Sequence, residues 1–326
     1  MKRREFLTLL GAATASTTPL SALAQQPAMP VVGILSGTNR EPRLVGAIQQ
    51  GLAESGYTEG RNVALEYRFA EGRFERLPEL AADLVQRGVA VIVAMQSAAA
   101  PQAATAVTSS IPIVFSIGGD PVKLGLVASL NQPGGNVTGA TFLVNTLAAK
   151  RLELLRELVP AGATIGLLFN PKNPASGPEK DDMLAAAREL HLEIHAETAG
   201  SESEIDAAFA RFVEKPVSAV TFAADAVYNS RRAQLVALAA RHKLPTMYFY
   251  RAFAEAGGLI SYGGFDTDAY RLAGVYAGRV LKGEKPADLP VQQPSKLELV
   301  INRKTADALG ITIPTHLEIL ADEVIE

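Results

Sequence analysis

From Val31 onward, short apolar runs alternate with longer segments in which apolar side chains recur every three or four residues. The first pattern suits strands buried on both faces, and the second suits helices that bury one stripe. Residues 31–35 predict a strand. A helix over 43–55 follows, with Leu44, Ile48 and Leu52 on one face and Gly56 ending it. Val63, Leu65 and Tyr67 alternate along a strand at 62–67, and Leu77, Leu80, Ala81, Leu84 and Val85 share one face of a helix at 74–87. A fully buried strand at 89–94, a small-residue helix at 99–108 and a strand at 111–117 complete the series.

The order then restarts. Strands are expected at 164–169, 192–197, 217–223 and 244–249, with helices at 181–190, 204–213 and 231–242 between them. Val31 and Thr164, Val89 and Val217, and Ile111 and Leu244 are each roughly 130 residues apart. Such repetition predicts an α/β fold of two Rossmann-like lobes with parallel sheets. The join falls near 138–146, after the turn at 132–136. Beyond Tyr250 come a short helix, a strand at 258–262, a helix at 268–281, a Pro-rich stretch at 286–294, a strand at 297–301 and a helix at 305–309. These would overfill the second lobe, so they are assigned to a chain that recrosses. Lobe 1 is expected to hold 31–141 plus 262–288, and lobe 2 to hold 145–258 plus 292–326. The result is a hinge of three segments.

Composition narrows the function. The 326 residues are 48% hydrophobic, enough to fill two cores, and contain no cysteine. Disulfides, thiolate metal sites, a cysteine nucleophile and a lipid-bearing cysteine are thereby excluded. Lys2, Arg3 and Arg4 precede a short apolar stretch at 6–13 and a small-x-small pattern at Ala22-Leu23-Ala24, so residues 1–24 are expected to be an export signal. The paired arginines resemble the twin-arginine type, whose export machinery would then be a partner. The apolar stretch is far shorter than the roughly 20 residues that cross a bilayer. Cleavage after Ala24 leaves 28 basic side chains (31 less three) against 33 acidic ones (34 less one), a net charge of −5. That balance argues against a nucleic-acid partner. A soluble, monomeric periplasmic protein without a lipid anchor is expected.

In open α/β sheets, ligands gather beyond the carboxyl ends of the strands. Two facing lobes would line a cleft with the loops at 36–39, 96–98 and 118–121 and those at 170–173, 225–228 and 248–251. The candidate ligand-binding residues are Ser36, Gln96, Ser97, Asp120, Thr141, Asn170, Asp225 and Tyr248. Ser97 can offer its hydroxyl to a ligand carboxylate or cap a helix instead. Asp225 can hold a ligand ammonium or cap the next helix. Asp120, before Pro121, also suits a turn; Asn170 and Asn173 flank prolines in a turn-rich loop. Of Tyr248 and Tyr250, one can stack on a ligand while the other packs in the core or hinge. Catalytic patterns are missing: there is no G-x-S-x-G elbow, no phosphate-binding loop, and His191, His195, His242 and His316 are not spaced for a shared metal. No cofactor or metal is expected, and no catalysis.

Several fragments carry a resemblance. Gly51-Leu52 to Gly56-Tyr57, Glu59-Gly60-Arg61-Asn62-Val63, Arg76-Leu77-Pro78-Glu79-Leu80-Ala81, Ile111-Pro112-Ile113-Val114-Phe115, Gly119-Asp120-Pro121-Val122, Arg151-Leu152-Glu153-Leu154-Leu155 and Gly257-Gly258-Leu259-Ile260-Ser261-Tyr262-Gly263 stand in order along the chain. They resemble ABC-transporter substrate-binding proteins, in the group that includes tryptophan- and tyrosine-binding members. The resemblance implies a type I periplasmic binding fold, a small-molecule ligand, and an ABC permease with its ATPase as partners. It leaves the ligand open among amino acids, aromatic acids and other small polar metabolites, and Gln96-Ser97 stands where Thr-Pro or Ser-Pro is common. A periplasmic subunit presenting ligand to a membrane sensor kinase would share the fold, and an enzyme on the same scaffold would need reactive pairs at the cleft loops.

Overall fold

The strand Val91–Met95 (β3) buries all five of its side chains, as does Ile113–Ile117 (β4). Burial on both faces is what the uninterrupted apolar runs require. In the computed structural model, which describes residues 29–264, 266–293 and 296–326, these two strands form the centre of the first sheet. The expected export signal at 1–24 lies outside the described residues.

Around that centre, Val31–Ser36 (β1), Ala64–Phe69 (β2) and Val137–Thr141 (β5) complete a parallel sheet in the order β2-β1-β3-β4-β5. Helices Pro42–Glu54 (α1), Leu77–Gln86 (α2) and Ala99–Val107 (α3) connect its strands. After Ala148–Arg156 (α4), the second sheet begins with Thr164–Phe169 (β6) and Glu193–Thr198 (β7), joined by Ser176–Glu189 (α5). Glu202–Glu214 (α6), Ala219–Phe222 (β8), Ala226–Ser230 (α7), Arg232–Arg241 (α8), Thr246–Tyr248 (β9) and Arg251–Glu255 (α9) follow. Ile260–Gly264 (β10) adds beside β9; the chain then gives Asp266–Leu281 (α10) to the first lobe. Leu297–Asn302 (β11), Arg303–Leu309 (α11), Thr315–Leu320 (α12) and Glu323–Ile325 (β12) finish the second. Its order is β12-β11-β10-β9-β8-β6-β7.

Four expectations need correction. The second sheet is mixed, because β11 runs antiparallel to β10. Residues 262–264 pair in that sheet, so the chain leaves it after Gly264 and not before Tyr262. Val137–Thr141 is a strand of the first sheet, not part of the join. Its short, half-polar sequence hides it, and a Cβ at Gly139 would come within 2.2 Å of Phe115 O, showing how tightly it abuts β4. Finally, α5 starts at Ser176 rather than 181. Pro178 lies in its first turn, where backbone N–H groups have no helical partner to lose.

The chain crosses between the lobes three times, and the crossings adjoin. A Cβ on Gly264 would stand 3.7 Å from both Phe142 O and Lys296 O. Farther along, Thr141 N donates to Gln292 O at 2.9 Å and Gln292 N to Gly139 O at 3.0 Å. Side-by-side connections confine relative motion of the lobes to one hinge region.

Helix α10 returns to cover β3, β4 and β5 and packs on α1. Glycines make that contact close: a Cβ on Gly51 would lie 1.9 Å from Arg271 O, and one on Gly274 would lie 2.1 Å from Ile48 O. Gly274→Ala is therefore expected to lower stability by about 1–3 kcal/mol, even though alanine favours an exposed helix by up to ~1 kcal/mol. The urea midpoint measures it; an unchanged or raised midpoint would show that the two helices are free to separate.

Candidate functional site

The carboxyl ends of both sheets face one another across a cleft with about 470 Å³ of space, part of it open to solvent. Gln96, Ser97, Gly118 and Gly119 line it from the first lobe. Asn173, Ala224, Asp225, Asn229 and Tyr250 line it from the second, and Phe142, Val144 and Asn145 from the first crossing. Tyr270, near the start of α10, closes one side.

Three of the eight predicted residues reach this space. Gln96 follows β3 with φ of 66°, a left-handed conformation that costs a non-glycine residue energy and here swings the chain into α3. Ser97 Oγ accepts from the Ala100 N–H in the first turn of α3 at 3.3 Å, from one residue before the N-cap position, while lining the cleft. A Cβ on Gly37 would come 2.3 Å from that Oγ, and only glycine there lets the β1 loop close over it. Asp225 caps α7 by accepting from Val227 N at 2.7 Å, and its second oxygen accepts from Asn173 Nδ2 at 2.8 Å. Burial raises its pKa, against the lowering effect of those donors.

Ser36, Asn170 and Thr141 stand one layer behind. Ser36 Oγ accepts from Thr38 N at 3.2 Å and donates to Gln96 Oε1, holding the Gln96 amide. Asn170 Nδ2 donates to Asp225 Oδ2 at 3.3 Å. Thr141 Oγ1 donates to Gly119 O at 2.8 Å and accepts from Leu143 N at 3.2 Å, which ties the first crossing to a cleft loop. Asp120 accepts from Val122 N and Lys123 N at 2.9 and 3.2 Å and borders a neighbouring recess instead. Tyr248 does not reach the cleft: its ring stacks between Phe222 at 5.1 Å and Phe253 at 4.6 Å, fully buried. Tyr250 is the tyrosine that faces it. With Phe142 at 6.0 Å from Tyr250 and 6.2 Å from Tyr270, it forms an aromatic wall.

The sequence reading missed a polar cluster beneath that wall. Arg151 on α4 and Glu179 on α5 form an ion pair whose side chains are both fully buried. Glu179 also accepts from Asn145 Nδ2 and, at 2.8 Å, from Ala224 N; Arg151 donates to Val144 O at 2.8 Å. Burial pushes the Glu179 carboxyl up to about 7, outweighing the lowering effect of Arg151, Asn145 and Ala224. A signal was present in the spacing. Arg151 shares a buried stripe with Ala148, Leu152 and Leu155, and Glu179 shares one with Ser176, Met183 and Ala187. Asp225 and Glu179 are two buried acids against one buried guanidinium, and no basic side chain lines the cleft among the described residues. The floor therefore favours a cationic group.

Tyr248→Ala is expected to cost about 3–5 kcal/mol of stability, as for a core aromatic, and Tyr250→Ala less than ~2 kcal/mol. Chemical denaturation of both variants decides it; equal losses would place Tyr250 in the core as well.

Comparison with known proteins gives consistent matches. The chain is 28% identical over 263 residues to the tyrosine-binding protein of Clostridioides difficile, covering 80% of this chain and 75% of that one. A solved ABC domain from Streptococcus pneumonia in complex with L-Trp is 30% identical, covers 91% of this chain and 99% of its own, and has a TM-score of 0.81. A conserved domain protein from Vibrio cholerae is 27% identical over the same shares, with a TM-score of 0.82. The two-lobed fold is that of type I periplasmic binding proteins. The ABC transporter substrate binding protein family matches residues 29–325, nearly everything the structure describes, and the chain belongs to that family.

Proposed function

We propose that the chain is the periplasmic solute-binding subunit of an ABC importer, and that it captures an aromatic amino acid or a close analogue between its lobes. The observation that carries the reading is the division of the cleft into unlike surfaces. Phe142, Tyr250 and Tyr270 offer a planar apolar seat. Gln96 and Ser97, at the amino end of the nine-residue α3, offer donors suited to a carboxylate. Asp225, above the Glu179–Arg151 pair, offers negative charge suited to an ammonium. The tryptophan-bound and tyrosine-binding relatives support the same ligand class.

Magnitudes show why both kinds of surface are needed. An aromatic side chain buries roughly 150–250 Å², worth about 4–6 kcal/mol at ~25 cal/mol per Å². Alone, that reaches only about millimolar to tens of micromolar affinity before the cost of association is met. Charge-assisted hydrogen bonds to the two ligand termini supply the remainder and the selectivity.

Capture then proceeds by closure. The ligand contacts both lobes at once and shifts the population toward the closed form by its differential affinity. No bond is made or broken, and a permease recognises the closed form. The arginine-bearing amino-terminal segment would direct export, and the absence of cysteine leaves the product without a lipid-bearing thiol.

Calorimetric titration with L-tyrosine and L-tryptophan is expected to give saturable one-to-one binding, with the ligand recovered unchanged. A Tm rise equivalent to about 2.7 kcal/mol accompanies a hundredfold excess over Kd. Asp225→Asn should weaken binding by about 10–100-fold. No binding of either amino acid, or chemical conversion of them, would contradict the reading.

A further inference from the structure

Asn145 is the point where the two lobes and the first crossing meet. Its backbone N–H donates to Gly118 O of the first lobe at 3.3 Å. Its side-chain Nδ2 donates to Glu179 and, at 3.4 Å, to Ala224 O, both in the second lobe. A backbone carbonyl and an ionised carboxylate accept hydrogen bonds and cannot donate them. Both must therefore be met by the amide nitrogen, and the side-chain carbonyl is forced to the opposite side. There Asn145 Oδ1 lies beside Gly118, whose missing Cβ would be 3.1 Å from it, and both residues line the cleft.

The groups that impose this orientation are themselves locked. Arg151 binds Glu179 through one guanidinium nitrogen and Val144 O through another, so the residue before Asn145 is held by the same cation that holds its acceptor. Ala224 N fixes the remaining carboxylate oxygen at 2.8 Å. Arg151 is 0% exposed, Glu179 1% and Asn145 7%. A buried ion pair is a poor device for stability alone, because apolar residues of similar volume commonly serve as well. Orienting an amide is something apolar residues cannot do.

We propose that Glu179 and Arg151 are positioning residues for the ligand: they hold the Asn145 side-chain carbonyl toward the cleft as an acceptor, and so make the site selective for a ligand that brings an ammonium group to that point. This rests on the reading of the cleft as the ligand site. It adds that selectivity is set by a pair with no place on the cleft wall.

A consequence separates orientation from mere packing. Protonated Glu179 carries its own O–H and no longer demands a donor from Asn145. That leaves Nδ2 held only by the longer contact to Ala224 O at 3.4 Å, and the amide freer to turn its N–H₂ inward. Burial places that carboxyl near 7, so the change falls in an accessible range. The charged and titratable groups facing it are Arg151 on α4, Asp225 after β8 and Tyr228 on α7, with Tyr250, before α9, acting on Arg151. Asp120, Lys123 and Asp182 stand at the adjoining recess. An ammonium favours the ionised carboxylate, so its affinity should rise with pH through about 7, whereas a deaminated analogue should gain nothing.

The test is calorimetry at pH 6, 7 and 8 on the folded chain, with L-tryptophan, L-tyrosine and their deaminated analogues indole-3-propanoate and 3-(4-hydroxyphenyl)propanoate. The unaltered protein should prefer each amino acid to its analogue by about 100-fold at pH 8 and roughly tenfold less at pH 6. Asn145→Ala should lose about tenfold of that preference while holding the analogue within about threefold. Glu179→Gln should flatten the pH dependence; if it does not fold, Asn145→Ala and the pH series of the unaltered protein carry the test. Equal weakening of both ligand types in Asn145→Ala, or a preference identical at pH 6 and pH 8, overturns the proposal and leaves the binding function standing. Failure of the unaltered protein to bind either amino acid defeats the functional reading and this proposal with it.

Discussion

A guanidinium and a carboxylate, both sealed from water, must be satisfied where the chain first passes from one sheet to the other. Desolvating two such ions costs several kcal/mol each, and only close pairing with further hydrogen bonds offsets it. Arg151 and Glu179 meet most of that demand by drawing in Val144 O, Asn145 Nδ2 and Ala224 N, although Arg151 Nε is left without a partner among the described residues. Those three partners belong to the crossing and to the loop that carries Asp225. The pair thus ties the hinge, the floor of the second lobe and the cleft lining into one unit, and none of them can shift without leaving a buried charge exposed to apolar surroundings.

The rest of the fold serves to present that unit to a second surface. Parallel strands aim their carboxyl ends, and the helix starts after them, into one space. Three adjoining crossings let the surfaces approach without letting them drift. Helix α10 belongs by sequence to the late part of the chain and by packing to the first lobe, and its Tyr270 closes the aromatic wall begun by Phe142. Glycines at 37, 51, 118 and 274 stand where a Cβ would strike a neighbour, and so mark the places where elements approach most closely.

Much of this was legible in the residues. Apolar periodicity gave most strands and helices of both halves, because strands covered on two faces leave little freedom in composition, but it passed over α4, α7, α12 and β12. It failed at Val137–Thr141, where small and polar residues fit a strand that packs by close approach rather than by bulk. It also failed to assign the direction of β11, which depends on where the chain re-enters a sheet and leaves no local trace. Within the site, rules for strand ends pointed to loops that do line the cleft, with Gln96, Ser97 and Asp225 among them. They did not separate Tyr248 from Tyr250. Side-chain alternation would put both on one face, but β9 ends at Tyr248, and Tyr250 already begins the turn into α9. Arg151 and Glu179 sit in register with the apolar stripes of α4 and α5, a signal that shows them on buried faces but not that they meet each other.

The central claim is that one guest is gripped by groups from both lobes. Because the chain has no cysteine, single cysteines replacing exposed Gln50 on α1 and Lys215 after α6 can carry spin labels without interference. Pulsed dipolar spectroscopy with and without saturating L-tryptophan then reports the separation of the lobes directly. The account predicts that ligand converts a broad distance distribution into a narrower, shifted one. Superimposable distributions, in samples where calorimetry shows the ligand bound, would contradict it.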